Sequence, residues 1–337
     1  MEIRRPLRKP SPQADRRTVT SYARCIIRNT RTQLQAGRCS FFLATETTVY
    51  AMPAPTAVFS AGKNALITGA ASGVGLAVAK LCASHGMNLH LVDNNASLLG
   101  EAKSKVTGKG SLETHEMDVS SLKDWNSLQS QLKDTKLDFL HLNAGIGAKG
   151  DWTDSAYFHK IFDVNFYGVI NGISTFFPHF EGNSSDAKAI VITGSKQGIT
   201  NPPGNPAYNA SKSALKTITE HLSFDLAKSS PSTSVHLLVP GWTFTGLTGG
   251  GGTKTKPDGA WSAEQVAEHL YKKMDEGKFY VMCPDNDVDW ETDRKRMMWT
   301  MGDVVYERMP QSRWREEYKD EAAKTMDGMK LGAKQGQ

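Results

Sequence analysis

Short apolar runs alternating with helix-length segments constrain this chain more than any other feature. The runs are NALIT (64–68), NLHLV (88–92), LETHEM (112–117), LDFLHL (137–142), AIVIT (189–193), VHLLV (235–239) and FYVM (279–282). Helical segments are expected between them, near 74–86, 96–106, 121–134, 155–180, 207–228 and 262–276. The last opens with Ser262 and Gln265 in a capping-box pattern. Four to six largely apolar residues are too few for a helix and suit a strand covered on both faces. Strands that alternate with helices in this way build βαβ units with right-handed crossovers. The expected fold class is therefore α/β, a doubly wound parallel sheet in a single domain, with ligands at the carboxyl ends of its strands.

At 337 residues, 39% hydrophobic and 22% charged, the chain is long enough to bury such a sheet. Its net charge of +5 is unevenly placed. Residues 1–50 hold ten basic residues against Glu2, Asp15 and Glu46, whereas the remainder holds 30 basic against 32 acidic. The body is thus not a nucleic-acid-binding surface; the basicity belongs to the leader. Residues 1–51 read as a disordered basic leader or, being Arg-rich and Ser/Thr-rich, as a transit peptide. A third reading places the true start at Met52. The protein is expected in the cytoplasm, or in the mitochondrial matrix if the leader is a transit peptide. Cys25, Cys39, Cys82 and Cys283 are scattered, without a C-x-x-C pair, which fits a reducing compartment. No apolar run has the length of a membrane span, so no membrane partner is expected.

The first strand runs into TGAASGVG, which supplies Thr68, Gly69, Gly73, Val74 and Gly75 ahead of a helix. Glycines there permit a tight turn and let backbone amides approach a pyrophosphate. This is the phosphate-binding turn of a Rossmann fold when it follows the first strand of an α/β chain. Asp93 ends the second strand, 24 residues after Gly69, where a carboxylate accepts hydrogen bonds from ribose hydroxyls. It would repel a 2′-phosphate, so NAD is expected in preference to NADP.

Past the fifth strand comes Ser195, with Tyr208 13 residues later and Lys212 one helical turn beyond it. A lone Y-x-x-x-K is an ordinary polar pair on a helix. A serine, a tyrosine and a lysine converging on the carboxyl edge of the sheet form an acid/base set for a carbonyl–alcohol pair. With T-G-x-x-x-G-x-G at 68–75, NAG at 143–145 and PG at 240–241, the stretch from about 60 to 283 resembles the short-chain dehydrogenase/reductase family.

The resemblance implies an oxidoreductase passing hydride between NAD(P) and a secondary alcohol or ketone, with Tyr208 as general acid/base. It implies that Ser195 holds the substrate oxygen and that Lys212 binds the nicotinamide ribose and lowers the tyrosine pKa. Asn165 would join a proton relay through water. Asn143 and Gly145 would line the cofactor channel, Asp118 would reach the adenine, and Thr245 would meet the carboxamide. Leu142 departs from the family's frequent Asn-Asn-Ala-Gly pattern, which puts a sheet-bracing contact in question. The family also implies a homo-oligomer, a dimer or tetramer. Two other readings remain open: a non-catalytic dinucleotide-binding regulatory protein, and an NAD-retaining epimerase or dehydratase.

A phenol ordinarily ionises near pH 10, too high for an efficient base near neutrality. An ammonium one turn away favours the phenolate, which gives the spacing its purpose. The nine histidines show no metal-ligand spacing and are expected to be structural or exposed, with no metal bound. The stretch PGWTFTGLTGGGGTKTKPDGAW leaves the sixth strand toward the substrate end of the site. Its glycines suit a closing lid, and Trp242, Phe244, Leu247 and Trp261 would cover an apolar or aromatic substrate. Residues 284–337 are expected as a helical extension, with the Met and Trp of 296–314 in core or contact roles.

Overall fold

A computed structural model describes residues 54–182, 184–249 and 255–332. The basic leader and residues 250–254 of the glycine-rich patch lie outside the described residues. Seven strands form one sheet: β1 Asn64–Thr68, β2 Asn88–Asp93, β3 Leu112–Glu116, β4 Phe139–Leu142, β5 Lys188–Thr193, β6 Thr233–Val239 and β7 Tyr280–Met282. Their order is β3-β2-β1-β4-β5-β6-β7, and every neighbouring pair is parallel. The chain reverses its direction of winding between β1 and β4, which opens a crevice at their carboxyl ends.

Successive strand residues point to opposite faces, and both faces are covered. Ala65, Ile67, Leu89, Leu91 and Val191 pack with helices α1 (Gly73–Ser84), α2 (Ala96–Lys105) and α8 (Ala263–Asp275). Leu66, Val92, Leu140, Ile190 and Leu237 pack on the other side with α3 (Leu122–Gln131), α5 (Gly168–Phe176) and α7 (Pro206–Ser229). Trp125 of α3 is wholly buried there, and its indole N–H donates to the Val119 carbonyl at 2.8 Å. Burying a side chain of this kind contributes about 2–3 kcal/mol, and the hydrogen bond prevents a loss from the desolvated N–H.

The long helix expected over 155–180 is interrupted. Helix α4 (Ser155–Phe162) passes into a π-helical turn, Asp163–Tyr167, before α5 begins. A short helix, α6 (Gln197–Thr200), intervenes between β5 and α7. Helix α7 starts with Pro206 in its first turn, and the Asn205 side chain caps it by accepting from the Tyr208 amide at 3.4 Å. Beyond β7 the chain forms α9 (Trp290–Val305) and α10 (Lys319–Gly328), and α9 packs against α6. No helix among the described residues is long and apolar enough to cross a membrane.

Candidate active site

The carboxyl ends of β1, β2, β4, β5 and β6 surround a cavity of about 520 Å³. Thr68, the last residue of β1, stitches two of those ends together. Its hydroxyl accepts from the amides of Asn143 and Ala144 at 2.9 and 3.0 Å. The Asn143 side chain returns the tie by donating to the carbonyls of Thr68 and Gly69 at 3.1 and 3.3 Å. Gly69 has φ +63°, and a Cβ there would lie 2.9 Å from Ala144 Cα. At Gly75 a Cβ would meet the Gly69 carbonyl oxygen at 2.2 Å. Only glycine fits either place, so the turn can lie flat under a ligand.

Helix α1 begins at this turn with no acidic residue in its first turn and no side-chain bond from Ser72. Its first N–H groups are left for an anion. Gly73 and Val74 line the cavity there, and a Cβ on Gly73 would come within 3.2 Å of the Thr245 methyl group. Thr245 thus stands opposite the glycine turn. Thr245 and Thr248 cap each other reciprocally, which gives the segment from Gly246 to Thr248 a 3₁₀ turn over the cavity.

Asp93 ends β2 and lines the cavity. One carboxylate oxygen accepts from the Ala71 amide at 3.1 Å, the other from the Asn95 amide at 3.2 Å. The residue therefore fixes the glycine turn to β2 while retaining acceptor capacity on both oxygens. Asp118 lies on the same rim, exposed, with its carboxylate accepting from the amide and hydroxyl of Ser120 at 2.9 and 2.8 Å. Among the described residues that line the cavity, Lys212 is the sole cation.

Ser195, Tyr208 and Lys212 meet at the opposite end. The Lys212 ammonium is buried, donates to the Thr193 carbonyl at 2.8 Å and lies 5.8 Å from the centre of the Tyr208 ring. Burial pulls its pKa down to about 8. Burial pushes the Tyr208 phenol above its ordinary value, and a hydrogen bond from Ser195 acts in the opposite direction. Desolvation sets the direction of the Tyr208 shift. The Ser195 hydroxyl also accepts from the Gln197 amide at 3.2 Å, so the start of α6 orients it.

Asn165 sits in the π-helical turn and is fully buried. Its side chain grips the backbone of Ile146 on both sides, accepting from the amide at 2.8 Å and donating to the carbonyl at 3.0 Å. A Cβ on Gly145 would lie 3.3 Å from Asn165 Oδ1 and 3.5 Å from Lys212 Nζ. Gly145 thus marks the point on which Asn165 and Lys212 converge. Such π-helical turns inside helices occur often at functional sites.

Sequence reasoning missed the support behind this set. Thr193 donates to Asn143 Oδ1 at 3.1 Å and accepts from His141 at 2.9 Å. This fixes the imidazole proton on Nε2, and His141 is neutral because complete burial pulls its pKa down to about 3. The chain His141–Thr193–Asn143–Gly69 braces β4 and β5 against the glycine turn, a bracing role the Leu142 substitution had put in question. Tyr157 donates to Asn205 and accepts from the Ala207 amide at 3.3 Å, which fixes α4 to the start of α7 beside Tyr208. No local signal marks either group, because each depends on partners far along the chain.

The expected aromatic cover needs correction. Leu247 lines the cavity, whereas Trp242, Phe244 and Trp261 do not. Trp261 packs with the core beneath α8 and stands edge-on to His269, because its backbone pairs with the segment at Thr243. Trp242 is 43% exposed.

The cradle, the carboxylate at the end of β2 and the uncapped helix together fit a dinucleotide. Comparison with known proteins points the same way. The profile of the short chain dehydrogenase family matches residues 63–255. Oxidoreductase UcpA of Salmonella typhimurium is 28% identical over 202 residues, which cover 58% of this chain and 75% of that protein. Human 17-beta-hydroxysteroid dehydrogenase type 1 is 30% identical over 166 residues, 47% of this chain and 50% of that protein. A short chain dehydrogenase/reductase from Burkholderia phymatum, solved with NAD, superposes with a TM-score of 0.66 at 28% identity. The match covers 74% of this chain and 96% of that one.

Proposed function

The chain belongs to the short chain dehydrogenase family, an oxidoreductase family that binds NAD or NADP, and we propose that it interconverts a secondary alcohol and its ketone with NAD. The observation that carries the reading is the convergence of Ser195, Tyr208 and Lys212 at one end of the dinucleotide cradle. Binding alone needs no acid/base set.

When bound, the nicotinamide would supply or take up the hydride. In the reducing direction the Tyr208 phenol gives its proton to the carbonyl oxygen as that oxygen gains charge. Ser195 holds the same oxygen by its hydroxyl and so keeps the carbonyl within reach of the phenol. Lys212 would hold the nicotinamide ribose and, when charged, would favour the phenolate that remains. Asn165 would help to hold a water through which the returning proton reaches Lys212. In the oxidising direction each proton step runs backward.

Asp93 and the absence of any described cation beside it support NAD over NADP. Asp118 would reach the adenine, and Asn143, Gly145 and Thr245 would line the path to the nicotinamide. Ile146, Val164 and Leu247 on the cavity wall support an apolar substrate. A relative named for a hydroxysteroid supports the same class. A homo-oligomer forms part of the proposal through the family.

The test is a panel of secondary alcohols and ketones, offered with NAD(H) and NADP(H) and followed by the absorbance of the reduced nicotinamide. Turnover of an apolar member with NAD(H) is expected. Cofactor binding with no turnover across the panel would return the chain to a regulatory, non-catalytic role.

A further inference from the structure

A second cluster of chemistry-bearing side chains lies between β2 and β3, away from the residues given roles in the proposed reaction. Parallel pairing sets His90 of β2 beside Glu113 of β3, and His115 follows Glu113 by two residues on the same face. His90 Nδ1 is 3.2 Å from His115 Nε2 and 3.7 Å from a Glu113 carboxylate oxygen. One ligand atom from each of the three lies within 4.8 Å of the others. Nothing in the proposed reaction uses them.

Zinc binds imidazole nitrogen and carboxylate oxygen at about 2.0–2.2 Å, so tetrahedral neighbours stand roughly 3.3–3.5 Å apart. Two of the separations here already sit close to that range. The alternative is a simple hydrogen bond between two imidazoles, which accounts for the 3.2 Å contact and leaves Glu113 beside His90 by strand register alone. We infer that His90, Glu113 and His115 form a site for one divalent transition-metal ion of the zinc type.

Both rings bind as neutral imidazole. His115 presents the Nε2 lone pair and His90 the Nδ1 lone pair, so any proton on His90 Nδ1 moves to Nε2 when the ion enters. Gln131 of α3 lines the same cavity as His115, where an outer partner of a metal ligand commonly stands. A cavity of about 320 Å³ lined by His115, Asp124, Ser127 and Gln131 borders the cluster on the His115 side. Glu113 is mostly exposed, which leaves the fourth position to water. The class is Zn²⁺ rather than Mg²⁺ or Ca²⁺, because two of three donors are imidazole nitrogens.

Position gives the site a consequence. β3 is the edge strand, and it is joined to the end of β2 by the Met117 amide donating to the Asp93 carbonyl at 3.0 Å. An ion between β2 and β3 would pin the strand end that carries Asp93. The sequence concealed the site because His90 and His115 are 25 residues apart and only strand register brings them together.

The test is calorimetric titration of the untagged full chain, first stripped with chelator, with ZnCl2. Co²⁺ absorption serves as a probe of ligand type. One equivalent of Zn²⁺ should bind, Co²⁺ should show a nitrogen/oxygen spectrum, and Tm should rise with the ion. Glu113→Gln, at an exposed position, and His115→Ala should each weaken binding at least about 10-fold; circular dichroism confirms that both remain folded. No stoichiometric binding by the native chain would overturn the inference, as would Zn²⁺ affinity unchanged in both variants or a thiolate-type Co²⁺ spectrum.

Discussion

The Lys196 ammonium lies 2.5 Å from the Asp293 carboxylate, which fastens helix α9 to the residue that follows Ser195. The same ammonium reaches Asp285 at 3.3 Å, and Asp285 also accepts from the Trp242 amide at 3.1 Å. One buried cation therefore joins the ends of β5, β6 and β7 to the C-terminal segment. Burial pushes the Asp293 carboxyl up, and Lys196 only partly offsets it. Arg313 stands near as a second cation, its own pKa pulled down to about 10 by burial.

Removing Asp293 leaves Lys196 paired with Asp285 alone and takes a carboxylate away from Arg313. Asp293→Ala should cost about 1–3 kcal/mol of stability, less than a fully broken buried pair because Asp285 still faces Lys196. If the group positions Ser195, kcat should fall while the KM for cofactor holds, because the glycine turn is remote from it. Denaturant unfolding and steady-state kinetics check both. A variant with native stability and native kcat would show that the C-terminal segment plays no part in the site.

Cofactor choice should turn on Asp93. Asp93→Ala combined with Asn94→Arg removes the repelling carboxylate and adds a partner for a 2′-phosphate. The ratio of kcat/KM for NADP over NAD should rise at least about 10-fold. Affinity for NAD should also drop, since Asp93 anchors the Ala71 amide of the glycine turn. A native protein that already prefers NADP would refute this assignment.

Burial raises the Tyr208 pKa, so the phenol is protonated through neutral pH. Ketone reduction needs that proton, and its kcat/KM should stay level near neutrality and decline in alkali. Alcohol oxidation needs the phenolate and should climb with pH. The Ser195 hydrogen bond lowers the phenol pKa. Ser195→Ala should therefore displace the rising limb toward higher pH, besides lowering the rate. A limb displaced toward lower pH would contradict the stated sign.

The local part of this site was legible because its residues act at fixed short spacing. The glycine turn, Asp93 at a strand end and the Tyr208–Lys212 pair all depend on one strand or one helical turn. The apolar runs placed all seven strands to within two residues at either end. What stayed hidden depends on register or on distant partners. Lys196 and Asp285 are 89 residues apart, and nothing local distinguishes Lys196 from a surface lysine. The π-helical turn at Asn165 has no propensity signal, because a single widened turn costs the surrounding helix little. Trp261 resembled a lid residue by its place beside glycines, yet its pairing with the Thr243 segment turns it into the core.

That difference has a measurable outcome at the mouth of the site. Leu247 lines the cavity and Trp242 does not. Leu247→Ala should raise KM for bulky apolar substrates by about 10-fold, the effect of a few lost methylene contacts, and should reorder a substrate panel. Trp242→Ala should leave the ranking as it was. The opposite pattern would place Trp242 over the substrate and Leu247 outside it.

The most direct test of the central claim is turnover by Tyr208→Phe, with cofactor affinity measured alongside by fluorescence titration. The substitution removes one hydroxyl and keeps the ring on its helix. Turnover should fall by at least about 10²-fold, the usual loss when a general acid is removed, while the Kd for cofactor stays within twofold of native, ~0.4 kcal/mol. Near-native turnover in that variant would mean that another group moves the proton and that Tyr208 is not the acid/base.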